Sequence, residues 1–517
     1  MTVPGNDQQA DDEHLGGTPA LGERAVRGSL WSLTATFVLL PVNLLAGIVL
    51  ARLLGPADFG QFVVLITFLA VVGPFVDLGF GASLLQWAGA AAGRGDRRAI
   101  DRLFNQNLGM QLLVPLPITM LGGLFILRDS SAPVVSAFVM TGLLGVLVGS
   151  GLARLAVENR TAALAKLGLI GGLLSNGVAV GLAFAGGEPE TLWVARSSAA
   201  LLPALPLLWL LSSSERRALL RPRLPARMPS GFWPFARGAW VAAGLGALVG
   251  TRSEVFVLEL NGLDAAVGVF AVAFGLATQL TSPLDIMQGS FGPAATALAG
   301  RRPGSLGDVM MPALRLFGLG SGLVLAGSTV VISLVPVVYG PEYAQVPVLL
   351  VPLLVASCLQ TALAPYSALA VVRRRRRLLP WVQAATATAD LGLAFLLTPL
   401  VGIWGAVVGS CAGLVLINLL FAFFELRSWR QVAAVVLRSG LLEGLLVFIG
   451  GLLVVWWLGS GVIAAGVVGV LALGGFAAVV LIARRQELSL AVSDLEPLLP
   501  PRLGRLVGKA ARRLGVL

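Results

Sequence analysis

Charged residues are scarce in this 517-residue chain. Only 12% of its residues are Asp, Glu, Lys or Arg, whereas 56% are hydrophobic and the mean hydropathy is +0.87. Soluble domains carry about 25% charged residues, so this chain cannot cover a water-exposed surface of its size. A nucleic-acid-binding protein is excluded on the same ground, although the formal net charge is +11. The composition therefore predicts a polytopic helical membrane protein.

Cysteine and histidine are scarcer still. Cys358 and Cys411 are the two cysteines, and His14 is the one histidine. These numbers exclude a disulfide scaffold and a His/Cys metal cluster. The chain also lacks a Gly-x4-Gly-Lys-Ser/Thr phosphate loop, which excludes ATP hydrolysis by that route. We expect no cofactor, no metal and no catalytic residue.

Long apolar runs are what the chain does have. A transmembrane helix needs about 20 mostly apolar residues, and by this rule we predict an all-α protein with about fourteen transmembrane helices. The predicted spans lie at roughly 30–51, 60–82, 104–127, 133–153, 164–186, 191–211, 239–260, 265–288, 311–337, 345–371, 379–400, 402–424, 439–458 and 461–482. Gly-x3-Gly spacings begin at Gly145, Gly177, Gly246 and Gly405, and they predict close helix packing.

The basic residues predict the orientation of these spans. If the N-terminus is inside, all of the 37 Lys and Arg residues except Arg52, Arg128, Arg196 and Arg252 fall at cytoplasmic positions. This asymmetry is the positive-inside bias of a correctly counted topology. We therefore predict a multi-pass protein of the bacterial cytoplasmic membrane, with both termini in the cytoplasm. The leader lacks the features of a signal peptide.

Short sequence matches about 207–211 residues apart indicate an internal repeat. Arg27-Gly-Ser-Leu-Trp is echoed by Arg237-Gly-Ala-Trp, and Pro74-Phe-Val-Asp by Pro283-Leu-Asp. Two six-helix units in the same orientation form a parallel repeat with the substrate path between two lobes. The predicted domains are a cytoplasmic tail at 1–26, an N-lobe at 27–211, a basic linker at 212–236, a C-lobe at 237–425, a helix pair at 426–483 and a basic tail at 484–517. The last tail fits an interfacial helix or a flexible segment.

Three sequence stretches resemble a known family. The first runs from Arg27-Gly-Ser-Leu-Trp through Gly55-Pro-Ala-Asp-Phe-Gly to Asp77-Leu-Gly, the second comprises Arg252-Ser-Glu and Gly268-Val-Phe-Ala, and the third is Gly402-Ile-Trp-Gly-Ala. They are similar to bacterial oligosaccharide flippases, the Wzx-type polysaccharide-biosynthesis transporters of the multidrug/oligosaccharidyl-lipid/polysaccharide (MOP) exporter superfamily. Glu254 stands where the family would have Asp, and Phe270 where it would have Tyr. The resemblance implies turnover of lipid-linked saccharides from the inner to the outer leaflet.

Charges inside a membrane are costly, so we interpret them as candidate functional residues. Arg252, deep in the seventh span, is the first candidate for an anion ligand; pairing with Glu254 or Glu259 is its alternative. Arg196 would bind phosphate or extend to the outer interface, and Arg52 would bind substrate or only end its span.

Five further residues complete the candidate set. Arg27 and Arg237 lie at the predicted cytoplasmic ends of the two matched spans. They would bind a diphosphate first, or only anchor the helices at the membrane surface. Asp77 and Asp285 are matched by the repeat, and each would bind basic loops or take part in gating. Asp390 would bind a coupling cation or a proton, or pair with Arg252.

The expected function is that of a secondary-type flippase, which is not an enzyme, working by alternating access on a polyprenyl-diphosphate-linked oligosaccharide. A lipid II flippase, a cation-coupled drug exporter of the same superfamily, and a membrane glycosyltransferase or polysaccharide polymerase are the alternatives. Membrane lipids and polysaccharide-assembly proteins are the other expected partners, and nucleic acid is not one. The short predicted outer loops lack the paired carboxylates that a glycosyl-transfer enzyme would need.

Overall fold

The computed structural model describes residues 18–158, 160–205, 221–224, 228–301, 306–373, 378–457, 462–483 and 509. The regular elements within these residues are helices. Seventeen α-helices follow one another along the described chain: α1 Thr18–Val76, α2 Phe80–Gly93, α3 Arg97–Leu113, α4 Pro115–Ile126, α5 Ala132–Val157, α6 Thr161–Phe184, α7 Pro189–Leu201, α8 Phe232–Gly250, α9 Glu254–Leu260, α10 Asp264–Arg301, α11 Leu306–Tyr339, α12 Val346–Val372, α13 Leu378–Val401, α14 Ile403–Leu426, α15 Trp429–Arg438, α16 Leu441–Trp457 and α17 Val462–Ala483.

The predicted fold class is confirmed. Among the described residues, nine helices are long and apolar enough to cross a membrane, and the number rises to eleven if each of two bent pairs is one span. The number fourteen is not confirmed. One reason is that the first predicted span and most of the second fall within α1, where residues 34–76 count as one helix although Gly55 interrupts them. Another is that residues 206–211 of the sixth predicted span lie outside the described residues.

Gly55 is the point at which α1 changes direction. Its backbone has φ 74° and ψ 173°, a combination that is open essentially only to glycine. Close to it, a Cβ added to Gly268 of α10 would meet the Pro56 carbonyl oxygen at 2.0 Å. The segment after Gly55 therefore packs backbone to backbone on α10, and glycine makes this approach possible.

The chain divides into two compact units. Unit 1 comprises Met1–Leu50 and Val72–Ala243, and unit 2 comprises Ala51–Val71 and Gly244–Leu517. The predicted lobe borders and the internal repeat stay predictions. The predicted tails at 1–26 and 484–517 lie largely outside the described residues. Of the predicted linker at 212–236, residues 221–224 and 228–236 are described, and its last five residues belong to α8.

Each unit has an apolar core. In unit 1, the core includes Leu84, Leu103 and Phe104, and Phe80 packs edge-on against Phe232 at 5.1 Å. In unit 2, Tyr366 and Phe421 belong to a core made by α11 to α15. Large apolar side chains also lie on the outside of the helices, as expected where the solvent is lipid. Together with the apolar helices, they show a multi-pass membrane protein.

Candidate functional site

The seventh predicted span is broken, which corrects the expectation of one helix over 239–260. Helix α8 ends at Gly250 and α9 begins at Glu254, with a bend of 62° between them. Arg252 in the break has φ 60°, a left-handed conformation that ends helical hydrogen bonding. The hydroxyls of Thr251 and Ser253 donate to the carbonyls of Ala247 and Leu248. Such side-chain bonds satisfy backbone groups that a broken helix would leave unpaired in a membrane.

Two acidic side chains meet beside this break. Glu254 of α9 and Asp390 of α13 are each only 1% exposed. Their side chains lie within hydrogen-bonding reach of each other, and the Ser410 hydroxyl of α14 donates to Glu254 Oε1. Carboxylate oxygens only accept hydrogen bonds, so the contact between the two acids becomes a hydrogen bond only if one of them carries a proton.

Glycines bring α14 close enough to form this site. A Cβ on Gly409 would lie 2.5 Å from the Asp390 carbonyl oxygen, and a Cβ on Gly413 would lie 2.8 Å from Asp390 Oδ2. A Cβ on Gly405 would meet the backbone of Thr398 at 2.2 Å. The spacing that begins at Gly405 therefore does pack two helices, as the sequence predicts, and it also encloses the Asp390 carboxyl.

Arg252 lies next to the acid pair and is itself half-buried. Its charge acts on Glu254, and its Nη1 donates to the Ala271 carbonyl of α10 at 3.3 Å. The arginine therefore has both a carbonyl partner and an electrostatic partner. The position of Arg252 is compatible with two roles: partial neutralisation of the two acids, and binding of an anion.

The chemistry available here is that of a small cation site. Two carboxyl groups and a serine hydroxyl supply oxygen atoms in a place where an uncompensated charge is costly. One proton or one cation would offset the mutual repulsion of the acids. The described residues hold no group of three or more His, Cys, Asp or Glu arranged for a metal ion.

The other candidates in unit 2 lie apart from the acid pair. Arg52 is exposed, and its Nη1 donates to the Val338 carbonyl at 3.4 Å. Glu259 is exposed near the end of α9. Asp285 of α10 accepts hydrogen bonds from Thr361 at 3.3 Å and Thr281 at 3.5 Å. These residues do not extend the acid pair.

The remaining candidates belong to unit 1. Arg196 is half-buried on α7, and Arg237 is exposed on α8. Asp77 accepts the Gly81 amide hydrogen at 3.0 Å and so caps the first turn of α2. Arg27 lies in α1, but its side chain is outside the described part of the chain.

Sequence reasoning missed Ser410 and the meeting of Glu254 with Asp390. It named both acids but assigned them to different roles, because they lie in different predicted spans. The available signal was the glycine spacing of α14, where Gly409, Gly413 and Ser410 lie on the turns that contact α13. A small-residue stripe marks close packing, and an acidic residue on the partner helix would then be enclosed.

The comparisons with known proteins agree with this fold. A family profile described as polysaccharide biosynthesis protein matches residues 49–284. No curated protein sequence matches the chain. Among solved structures, the lipid II flippase MurJ in an inward closed conformation is 12% identical with a TM-score of 0.61, covering 87% of this chain and 98% of that one.

Two further structures extend the comparison. An inward-facing multidrug resistance MATE family transporter of the MOP superfamily is 16% identical with a TM-score of 0.55, covering 80% of this chain and 99% of its own. A MOP superfamily transporter from Pyrococcus furiosus is 15% identical with a TM-score of 0.51, covering 80% and 96%. The profile match and the shared fold agree with the resemblance: this chain is a multi-pass membrane protein with the fold of MOP superfamily transporters, and its residues 49–284 match a profile described as polysaccharide biosynthesis protein.

Proposed function

We propose that the protein is a flippase that moves a polyprenyl-diphosphate-linked oligosaccharide from the inner to the outer leaflet of the bacterial cytoplasmic membrane. The product would supply cell-surface polysaccharide synthesis. The observation that carries this proposal is the polysaccharide-biosynthesis profile match over residues 49–284. The fold supports it, because solved proteins with the same fold include a lipid flippase and exporters. Alternating access is the mechanism that we propose.

The diphosphate is the part of the substrate that most needs protein ligands, because its charge must cross an apolar layer. We assign this role to arginines, whose planar guanidinium can bind two phosphate oxygens at once. Arg252 and Arg196, both half-buried, are the first candidates; Arg52, Arg27 and Arg237 are the others.

The proposal is tested by deleting the gene and locating the lipid-linked saccharide. We expect the intermediate to accumulate in the inner leaflet, where a membrane-impermeant sugar oxidant does not reach it in intact spheroplasts. Restoring the wild-type gene should return it to the outer leaflet, whereas an Arg252→Gln variant should not. Arg128→Gln, which changes an exposed arginine paired with Asp129, is the matched control. Normal export in the deletion strain would contradict the proposal.

A lipid II flippase is the second candidate, favoured by the structural match to a protein of that name. It differs in its consequence for the cell. Depletion would then stop cell-wall synthesis and cause lysis, whereas loss of an oligosaccharide flippase would remove a surface polysaccharide and leave the wall intact. Lysis with an unchanged surface polysaccharide would favour this candidate.

We also propose that the pair of Glu254 and Asp390 binds the coupling cation or proton. The support is geometric: two acids, each 1% exposed, face each other beside a broken helix. Asp390→Asn should lower transport by about tenfold or more, which corresponds to about 1.4 kcal/mol of lost coupling, and should remove its dependence on the ion gradient. Asp264→Asn, at an exposed acid of α10, is the control. Gradient-dependent transport by the Asp390→Asn variant would contradict this assignment.

A further inference from the structure

Helix α15 is held at one surface of the membrane by its connections. It comprises Trp429–Arg438, and it begins three residues after α14 ends at Leu426. Helix α16 begins at Leu441 and is bent by 62° from α15. Helix α14 is long and apolar enough to span a membrane, whereas α16 meets that criterion only together with α15. The two-residue links on either side of α15 leave no room for a loop. Ten residues of helix extend about 15 Å, so α15 lies where these spans reach the headgroup layer.

Exposed tryptophans mark that layer independently. Trp381, near the start of α13, is 75% exposed, and Trp429, just after the end of α14, is 52% exposed. Because α13 and α14 follow each other through a tight turn, these two positions lie at the same side of the membrane. Trp404, Trp456 and Trp457, which are also exposed, lie at the other ends of these helices and of α16. Tryptophan concentrates at the two membrane–water interfaces, so α15 lies within one of these belts.

The two faces of α15 differ in what they contact. Val432 is 2% exposed and packs with Val435 and Val436 against the core of unit 2 that contains Tyr366 and Phe421. The opposite face presents Arg430, Leu437 and Arg438, all of which are exposed. The helix is thus fixed to the protein by its apolar face. The face with Arg430 and Arg438 is exposed, and we call it the open face.

The open face is strongly cationic. Arg427, immediately before α15, is exposed and has φ 59°. The sequence of α15 contains no Asp or Glu. Of the two acids that flank it along the chain, Glu425 forms an ion pair with Arg373 of α12, and Glu443 lies in the first turn of α16. Three exposed arginines therefore lie beside an exposed tryptophan and leucine at headgroup depth.

We propose that the open face of α15 binds the phosphate of an anionic phospholipid headgroup. Arg427, Arg430 and Arg438 contact the phosphate oxygens, because guanidinium groups bind them with paired hydrogen bonds. Trp429, which stacks on Phe423 with ring centroids 4.3 Å apart, and Leu437 enter the boundary between headgroups and acyl chains. A bound lipid would thus hold the link between α14 and α16 at the membrane surface.

The test measures lipid binding by the full-length protein in nanodiscs. A bimane label is attached at Ala433→Cys, an exposed position on α15, in a Cys358→Ala/Cys411→Ala background. Phosphatidylglycerol with brominated acyl chains, titrated into phosphatidylcholine, quenches the label where it binds. We expect half-maximal quenching at a much lower mole fraction than with brominated phosphatidylcholine.

Variants distinguish a specific lipid-binding site from general electrostatic attraction to an anionic membrane. Replacing Arg427, Arg430 and Arg438 by Gln should raise the half-maximal mole fraction by more than about tenfold, because each basic residue near an anionic surface contributes about fivefold. Replacing the same three by Lys should retain most of the binding, which excludes misfolding as the cause. The matched control replaces Arg97, Arg98 and Arg102 of α3, also exposed, by Gln and should change it less than about twofold.

Three outcomes would overturn the proposal. The first is an equal shift in the α3 control, which would show only general electrostatic attraction. The second is an unchanged titration in the triple Gln variant. The third is release of the lipid by excess inorganic phosphate, which would identify a site for soluble phosphate rather than for a lipid.

Discussion

The two units of the protein neutralise their acidic side chains differently. In unit 1, Arg154 is 3% exposed; its Nη2 lies 2.8 Å from Asp101 Oδ1, and its Nε lies 3.1 Å from Glu158 Oε1. Arg160 adds a second cation at 3.2 Å from Glu158 Oε2. In unit 2, Glu254 and Asp390 face each other instead, and Arg252 nearby also donates to a backbone carbonyl.

This difference suggests different roles for the two sites. The charges in unit 1 are fixed and structural, whereas the pair in unit 2 can change its charge by binding a proton or a cation. Arginine stays protonated in proteins, so the acids of unit 1 have permanent partners. We propose that the pair in unit 2 reaches a similar balance by taking up a proton or a cation. Binding and release at that pair would change the local charge, which a transport cycle requires. The following changes would break or sharpen this contrast.

The largest expected effect on stability follows from replacing Arg154, the buried arginine of unit 1. Arg154→Met removes the buried partner of the partly exposed acids Asp101 and Glu158, and the loss of these two charged contacts costs about 3 kcal/mol of unfolding free energy. Chemical unfolding in detergent micelles measures it. The control is Arg160→Met, whose side chain is 49% exposed and should cost no more than about 1 kcal/mol. Equal effects of the two changes would contradict a buried role for Arg154.

The next prediction is that replacing an acid by its amide changes stability in opposite directions in the two units. Asp101→Asn removes an ion-pair partner and should destabilise unit 1 by about 1–3 kcal/mol. Asp390→Asn removes a like-charge contact and should leave stability unchanged or raise it, while transport is lost. Thermal unfolding measured beside transport tests the pair of variants. Destabilisation by Asp390→Asn would show that this acid has a structural role like that of Asp101.

A smaller effect should follow from crowding the helix contact at the acid pair. Gly409→Ala places a methyl group 2.5 Å from the Asp390 carbonyl oxygen, so α13 and α14 must separate. Overpacking of this kind costs about 1–3 kcal/mol. Gly392→Ala is the control, because a Cβ there has no neighbour within 4 Å. Destabilisation by Gly392→Ala alone would contradict the packing described for α14.

Local sequence predicted the membrane class, the all-helical fold and the resemblance to polysaccharide-biosynthesis proteins, because hydropathy and short motifs are read directly from neighbouring residues. It also identified Arg252, Glu254 and Asp390 singly. It could not predict that Glu254 and Asp390 meet, because that depends on how α9 packs on α13. The Gly-x3-Gly spacings show the same limit: Gly405 and Gly409 contact another backbone, whereas added Cβ atoms on Gly177 and Gly181 would find open space.

The smallest effect concerns the hydroxyl that completes the acid pair. Ser410→Ala removes the donor to Glu254 Oε1 and should cost about 1 kcal/mol, the value of one hydrogen bond. The same change should weaken binding of the coupling ion, because an oxygen ligand is lost together with the group that orients Glu254. Val408→Ala, at an exposed residue of the same helix, is the control and should alter neither quantity by more than about 0.5 kcal/mol. A stability loss with unchanged ion dependence would make Ser410 a packing residue. A change in ion dependence with little loss of stability would make it part of the site, and the acids of unit 2 would then differ from those of unit 1 in function as well as in charge.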